Sequence, residues 1–252
     1  MKKIMTMVMA LVMAASMASC GNAAEDTANT AAAAKTQQAA AAKVISAEEE
    51  TYTIETDDTL VGGWAVPEDT GIEKNPEAKA ALDKALEVIT GAEYEPLAVL
   101  GKQIVAGTNY CILCRETYIV PDAQPKMVLV YVYEDLGGKA EITGSKEIIG
   151  ELLDGGFAAN AGDVSIEKNP ETKAAFDKAM ECITGMSYEP IACLGTQVVA
   201  GTNHLVLCKG TATVPDAKPV FTLVTVYEDL NDGAEMIEAA DLTLGETDSI
   251  DE

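Results

Sequence analysis

An α+β fold built from two tandem copies of one small unit, each a helix followed by antiparallel strands, is what the sequence predicts. Three observations carry it. Residues 72–136 align without a gap on 166–230, with about two-thirds of positions identical. Within each copy an apolar stripe of helical period comes first. Runs rich in β-branched and aromatic residues, punctuated by turn residues, come after it. A helix and a sheet with one apolar face each bury those faces on one another, so each unit is expected to be one helix packed on a curved antiparallel sheet.

Taken from the N-terminus, Lys2 and Lys3 precede an apolar run from Ile4 to Met17 and then small residues, the order of a secretory signal. The run is shorter than the roughly 20 residues that cross a hydrocarbon core, so it does not read as a membrane span. The stretch Met17-Ala18-Ser19-Cys20-Gly21 resembles a bacterial lipobox. That resemblance covers the N-terminus alone and implies a signal peptide over residues 1–19, lipidation of Cys20 and a protein anchored to the membrane outside the cytoplasm. Ordinary signal cleavage with Cys20 incidental is the competing reading. Residues 20–58 are rich in Ala, Thr, Gln and Glu with few large apolar side chains, so they cannot bury a core and read as a spacer. The two repeats are drawn at 59–148 and 149–240, with 241–252 as an acidic tail.

Asn75 reads as an N-cap, Pro76 as the first helical residue and Gly91 as the left-handed terminator, which predicts a helix of about 15 residues. Ala81, Leu82, Ala85, Leu86 and Ile89 share one stripe of it, as do Ala175, Phe176, Ala179, Met180 and Ile183 in the second copy. Strands are expected over Leu97 to Val105, Tyr110 to Val120 and Met127 to Tyr133, with turns at Ala106-Gly107 and Pro121-Asp122.

Composition narrows the function. With 41 acidic against 17 basic side chains the formal net charge is -24, a polyanion that phosphate backbones repel, so no nucleic-acid partner is expected. His204 is the single histidine, which leaves no multi-histidine zinc site and no pair of histidine-dependent active sites. No nucleophile, base and orienting group recur alike in both copies, so the chain is not expected to be an enzyme, nor to carry a catalytic residue, a metal or a cofactor.

At the first hairpin of each copy stands Gln103-Ile104-Val105-Ala106-Gly107, repeated as Gln197-Val198-Val199-Ala200-Gly201. A glycine pair lies upstream of each helix, Val61-Gly62-Gly63-Trp64 and Asp154-Gly155-Gly156-Phe157. The loop resembles the QxVxG loop of the cystatins, inhibitors of papain-like cysteine proteases, and the order glycine pair, helix, loop, longer strand pair is similar to theirs. The resemblance spans both repeats. It implies that a glycine trunk, the first hairpin and a second hairpin form a wedge that enters a protease cleft without being cleaved, so the implied partners are papain-like cysteine proteases, bound by a monomer.

Under that resemblance Gly62 and Gly63 let the trunk lie close to the enzyme and Val61 fills an apolar pocket. Gly107 permits the tight turn, and the backbone of Gln103, Ile104, Val105 and Ala106 meets the cleft walls. Leu136 and Leu230 stand in the second loop, where many secreted cystatins carry Pro-Trp, and are similar to the leucine of stefin loops. In the second copy Asp154 precedes Gly155 and Gly156 where an apolar residue is expected, and a carboxylate entering an apolar pocket is costly, so the first repeat is expected to inhibit more strongly. Trp64 is expected to pack on the sheet, with Phe157 in its place in the second repeat. The alternative is a cystatin-fold surface module that binds or adheres to another ligand without inhibiting.

Five cysteines follow Cys20. Cys111 and Cys114 have C-x-x-C spacing but face opposite sides of a strand, so no redox or metal chemistry is expected of them. Cys182 and Cys193 replace Val88 and Val99 of the first copy, which reads them as small core hydrophobes, with a Cys182 to Cys193 bridge as the less favoured alternative.

Overall fold

The computed structural model describes residues 63–150 and 155–247. Val61, Gly62, Asp154, Cys20, the signal and the spacer lie outside them. In the first repeat the described chain runs α1 (Pro76–Leu86), β1 (Ala92–Val105), β2 (Gly107–Tyr118), β3 (Lys126–Glu134) and β4 (Ala140–Ile149). The second repeat follows as β5 (Ala158–Ala159), α2 (Pro170–Met180), β6 (Met186–Val199), β7 (Gly201–Ala212), β8 (Val220–Glu228) and β9 (Ala234–Asp241). The fold is α+β, with two antiparallel meander sheets in the orders β1-β2-β3-β4 and β5-β6-β7-β8-β9. The leader of the first repeat pairs with β1 only at Ala65–Lys102 and Gly71–Ala98, whereas the second repeat has the short strand β5 there.

The helices are shorter than the pattern suggests, at 11 residues each. Neither Asn75 nor Asn169 caps its helix through its side chain. The Asn75 side-chain amide instead donates to the carbonyls of Asp69 and Gly71, at 2.9 and 2.8 Å. Asn169 does the same to Asp163 and Ser165. An asparagine that knits the preceding turn has its donors committed backwards, so the helix start rests on Pro76 or Pro170, whose fixed φ suits the first turn. At the other end Ile89 N–H reaches Leu86 O, a tight turn that stops the helix before Val88. Gly91 does take a positive φ of 94°, beyond the helix rather than at its cap. Val88 and Cys182 are consequently exposed, and the reading of Cys182 as a core hydrophobe is corrected; Cys111, Cys114, Cys193 and Cys208 are buried, and all five are free thiols.

Strand alternation sends the two faces of each sheet to different cores. Val99, Ile112, Val130 and Val132 pack with Ala78, Ala81, Leu82 and Ala85 of α1. Val206, Cys208, Val224 and Val226 pack with Ala175, Phe176 and Ala179 of α2. The opposite faces meet in one shared core, where Leu100, Cys111, Leu113 and Leu129 join Leu194, Leu205, Leu207 and Phe221. Cys111 and Cys114 therefore do face opposite sides of β2. The two repeats belong to one compact unit, layered as helix, sheet, sheet, helix. Fully burying a leucine is worth roughly 1.5–3 kcal/mol, so Leu100, Leu113, Leu129, Leu194 and Leu207 alone make this shared layer a major source of stability.

Register shifts at Pro96/Ala98 and Val99/Gly101 of β1 recur at Pro190/Ala192 and Cys193/Gly195 of β6, and such bulges bend a strand. The sheets stack in opposed directions. Ile149, at the end of β4 remote from the hairpins, packs its Cδ1 against Gly195, in the hairpin-proximal half of β6. Leu244, just past the remote end of β9, packs its Cδ1 against Gly101 in the matching half of β1. The hairpin ends of the two sheets therefore point to opposite ends of the molecule. Among the described residues no helix is long and apolar enough to cross a membrane.

Candidate functional site

The glycine leader, the β1–β2 hairpin and the β3–β4 hairpin of the first repeat lie side by side at one end of its sheet. Ala65 and Lys102 exchange backbone hydrogen bonds of 2.8 and 2.9 Å, so the antiparallel leader carries Gly63 toward Ile104. β1 turns into β2 through Ala106, with Val105 opposite Gly107, and Thr108 lies opposite Glu134 at the base of the β3–β4 hairpin. In the second repeat Ala158 pairs with Thr196, the equivalent of Lys102, which aligns Phe157 with Trp64 and Gly156 with Gly63. There the side-chain amide of Gln197 donates to the carbonyl oxygen of Gly155 at 2.6 Å.

The first hairpin demands glycine twice over. Gly107 and Gly201 both have φ of 132°, and a Cβ on them would fall 2.4 and 2.2 Å from the carbonyl oxygens of Glu134 and Glu228. The tip is braced from β3 and β8, because the hydroxyls of Tyr133 and Tyr227 donate to Ala106 O and Ala200 O, each at 2.6 Å. Asn109 donates to the Gln103 side-chain oxygen and Asn203 to that of Gln197, again at 2.6 Å. The glutamines are thus fixed by partners rather than left to sample rotamers.

The second hairpin is stiffened by its own carboxylate. Asp135 accepts from the N–H groups of Gly137 and Lys139, at 2.8 and 3.0 Å. Asp229 accepts from Gly233 and Asn231, at 2.8 and 2.7 Å, and these bonds hold its carboxyl below the usual aspartate range. Lys84 of α1 reaches Glu134 at 2.7 Å and Gly138 O at 3.0 Å, so the helix secures this loop as well.

What these braced tips offer is apolar. Ile104 and Val198 are 59% and 81% exposed, Leu136 and Leu230 88% and 82%, and Val105 and Val199 are also exposed. Large aliphatic side chains held in water at paired hairpin tips form a surface suited to a protein partner. Of the residues singled out in the sequence, Gly63, Gln103 to Gly107 and Leu136 come together in the first repeat. Gly155, Gly156, Gln197 to Gly201 and Leu230 do so in the second. Trp64 packs beside the shared core, 5.8 Å from the Tyr131 ring centroid. The tyrosine, asparagine and aspartate braces were not singled out, although Tyr133/Tyr227, Asn109/Asn203 and Asp135/Asp229 are kept in both copies.

One repeat-specific polar contact lies on the helix-facing side. Buried His204 lies 3.0 Å from Thr172 Oγ1 through Nδ1 and 3.1 Å from Glu228 through Nε2, bridging α2 to β8. Tyr110 and Ala78 occupy those places in the first repeat. Among the described residues no group of three or more His, Cys, Asp or Glu side chains is placed to hold a metal ion.

Comparison with protein-family models and with curated proteins returns no match for this chain.

Proposed function

We propose that the chain is a reversible, non-covalent inhibitor of papain-like cysteine proteases, carrying two cystatin-like wedges on one body. The observation that carries this reading is the juxtaposition of glycine leader and glutamine hairpin, expressed by the Gln197–Gly155 hydrogen bond and by the Ala65–Lys102 pairing. A helix packed across a bulged antiparallel meander, in the order leader, helix, hairpin, hairpin, supports the same family. The wedge acts by shape. Ile104, Val105 and Leu136, or Val198, Val199 and Leu230, present apolar surface to a cleft while the glycines keep backbone close to its wall. The braces of both tips matter because a surface already held in its bound conformation loses less entropy on association. About 800 Å² per partner is the area such a rigid surface needs for tight binding.

The lipobox-like Cys20 supports placing this inhibitor outside the cytoplasm on a bacterial membrane. Titration of a papain-like protease with the full chain tests the function, against a variant carrying Ile104→Glu, Leu136→Glu, Val198→Glu and Leu230→Glu. Reversible inhibition competitive with substrate, abolished in the variant, is the expected result. A wild-type chain that leaves the enzyme untouched at micromolar concentration selects the non-inhibitory surface binding or adhesion module instead.

A further inference from the structure

The leader of each repeat is gripped by side chains of the other. Lys209, on β7 of the second repeat, donates through Nζ to the carbonyls of Glu68 and Pro67, at 2.7 and 3.1 Å. Arg115 occupies the matching place on β2, and its Nη2 donates to the carbonyl of Gly162, in the leader of the second repeat. Arg115 is steadied by a 2.6 Å ion pair with Glu95. The two contacts are reciprocal, as at an isologous interface between two subunits.

A second pair of contacts repeats the exchange. Past β9 the chain lays Leu244 beside Trp64, so close that a Cβ on Gly101 would lie 2.8 Å from both. Gly245 N–H donates to the Tyr131 hydroxyl at 3.0 Å, Gly245 sits against the Trp64 indole nitrogen, and Glu246 pairs with Lys146 at 2.9 Å. Ile149 fills the corresponding slot at Gly195, next to Ala158. Within its own repeat each leader has few backbone bonds: those of Ala65 and Lys102 and Val99 N–H to Thr70 O in the first, and the short β5 pairing, Asn160 N–H to Leu194 O and Cys193 N–H to Val164 O in the second. Side-chain bonds of Gln197 to Gly155 and of Asn160 to Cys193 O add to these in the second repeat, and the crossed contacts add to them in both.

We propose that each hairpin edge is held in binding geometry by the opposite repeat: Lys209 and Leu244 are positioning residues for the edge of Gly63 and Gln103–Gly107, and Arg115 and Ile149 for that of Gly155, Gly156 and Gln197–Gly201. The binding readout rests on the inhibitory reading above, while the exchange readout does not. The pair of repeats is then the smallest complete unit, and a repeat cut out alone lacks two of its leader's anchors.

The test uses the full chain with one edge silenced by exposed substitutions, Val198→Glu with Leu230→Glu, or Ile104→Glu with Leu136→Glu. With the second edge silenced, Lys209→Met or Leu244→Ala is expected to speed dissociation of a papain-like protease about tenfold, Arg115→Met less than twofold, and Lys209→Arg to restore the parent rate. With the first edge silenced the pattern reverses, and Arg115→Lys restores it. Amide hydrogen exchange on the same variants gives the independent arm. Lys209→Met is expected to accelerate Ala65 and Lys102 and spare Asn160 and Cys193; Arg115→Met is expected to do the opposite. Thermal unfolding establishes that each variant is folded, with Leu244→Ala as the milder alternative if Lys209→Met is not. Effects confined to the repeat that carries the substitution, equal at both edges, or absent from the exchange of both leaders overturn the proposal. Crossed exchange in a chain that inhibits no protease leaves the positioning intact and removes the inhibitory reading.

Discussion

The Gln197 side-chain amide and the Gly155 carbonyl are joined by a 2.6 Å hydrogen bond that locks the glycine leader of the second repeat to its first hairpin. Asn203 bonds the oxygen of the same amide, so this glutamine is oriented from both ends. Gln197→Ala removes both bonds without touching the exposed tip. With the first edge silenced, the expected effect is a three- to tenfold faster protease dissociation with little change in association rate, read by progress curves. A net hydrogen bond is worth about 1 kcal/mol, which sets that scale.

Gly201 and Gly185 separate two costs of one substitution. Both have positive φ, 132° and 86°, but a Cβ at Gly201 meets Glu228 O at 2.2 Å while at Gly185 nothing lies within 4 Å. Gly185→Ala is expected to cost about 1 kcal/mol of backbone strain and Gly201→Ala about 2–3 kcal/mol, because the hairpin must also move. Urea midpoints at constant m-value measure the difference.

Stability should fall off on both sides of neutrality for different reasons. Asp229 and Asp163 are held below the usual aspartate range, the first by Gly233 and Asn231 N–H groups, the second by the hydroxyl and N–H of Ser165. Their unfolded forms bind protons first, so their contribution is complete above about pH 5 and is lost as pH falls through the folded values. Burial pushes the Cys111 and Cys193 thiols up to about 12. Unfolded thiols ionise near 8.5, so between there and about 12 each such thiol removes about 1.4 kcal/mol of stability per pH unit. Urea denaturation from pH 3 to 11 is expected to show a plateau between about 5 and 8. Cys193→Val, which installs the residue found at Val99, should make the alkaline limb shallower by one thiol's share, the other buried thiols still contributing, and leave the acid limb alone.

Opposed hairpin ends predict the stoichiometry. Two proteases are expected per wild-type chain by light scattering, and one per chain when either edge is silenced. A wild-type complex that stays at one protease per chain, with both silenced forms active, means that one partner blocks the other.

The hairpins and helices were legible because their signals are local. Pro76 and Pro170 mark helix starts, and Gly107 and Gly201 mark turns no other residue fits. β4 was implied only by the resemblance, as the far arm of the second hairpin, since Ala140–Ile149 is an edge strand with few large apolar residues to mark it. The Asn75 and Asn169 caps failed because a side chain suited to capping can equally bind the preceding turn, and nothing local decides between them. The face-to-face packing of the repeats left a trace that went unused. Tyr110–Cys114 and Met127–Val132 are unbroken apolar runs, the pattern of strands covered on both faces, whereas a sheet with one free face alternates. The crossed grip of Lys209 and Arg115 had no local trace, because it joins residues about 140 and 50 positions apart.

Back-to-back stacking also gives the molecule a polarity. The preceding chain joins at Gly63, beside the Ile104 and Leu136 tip, while the Val198 and Leu230 tip faces the other way. A bulky partner at one tip and another at the other are thereby kept on opposite sides of the shared core. One duplicated unit thus yields two surfaces that never compete for the same neighbourhood.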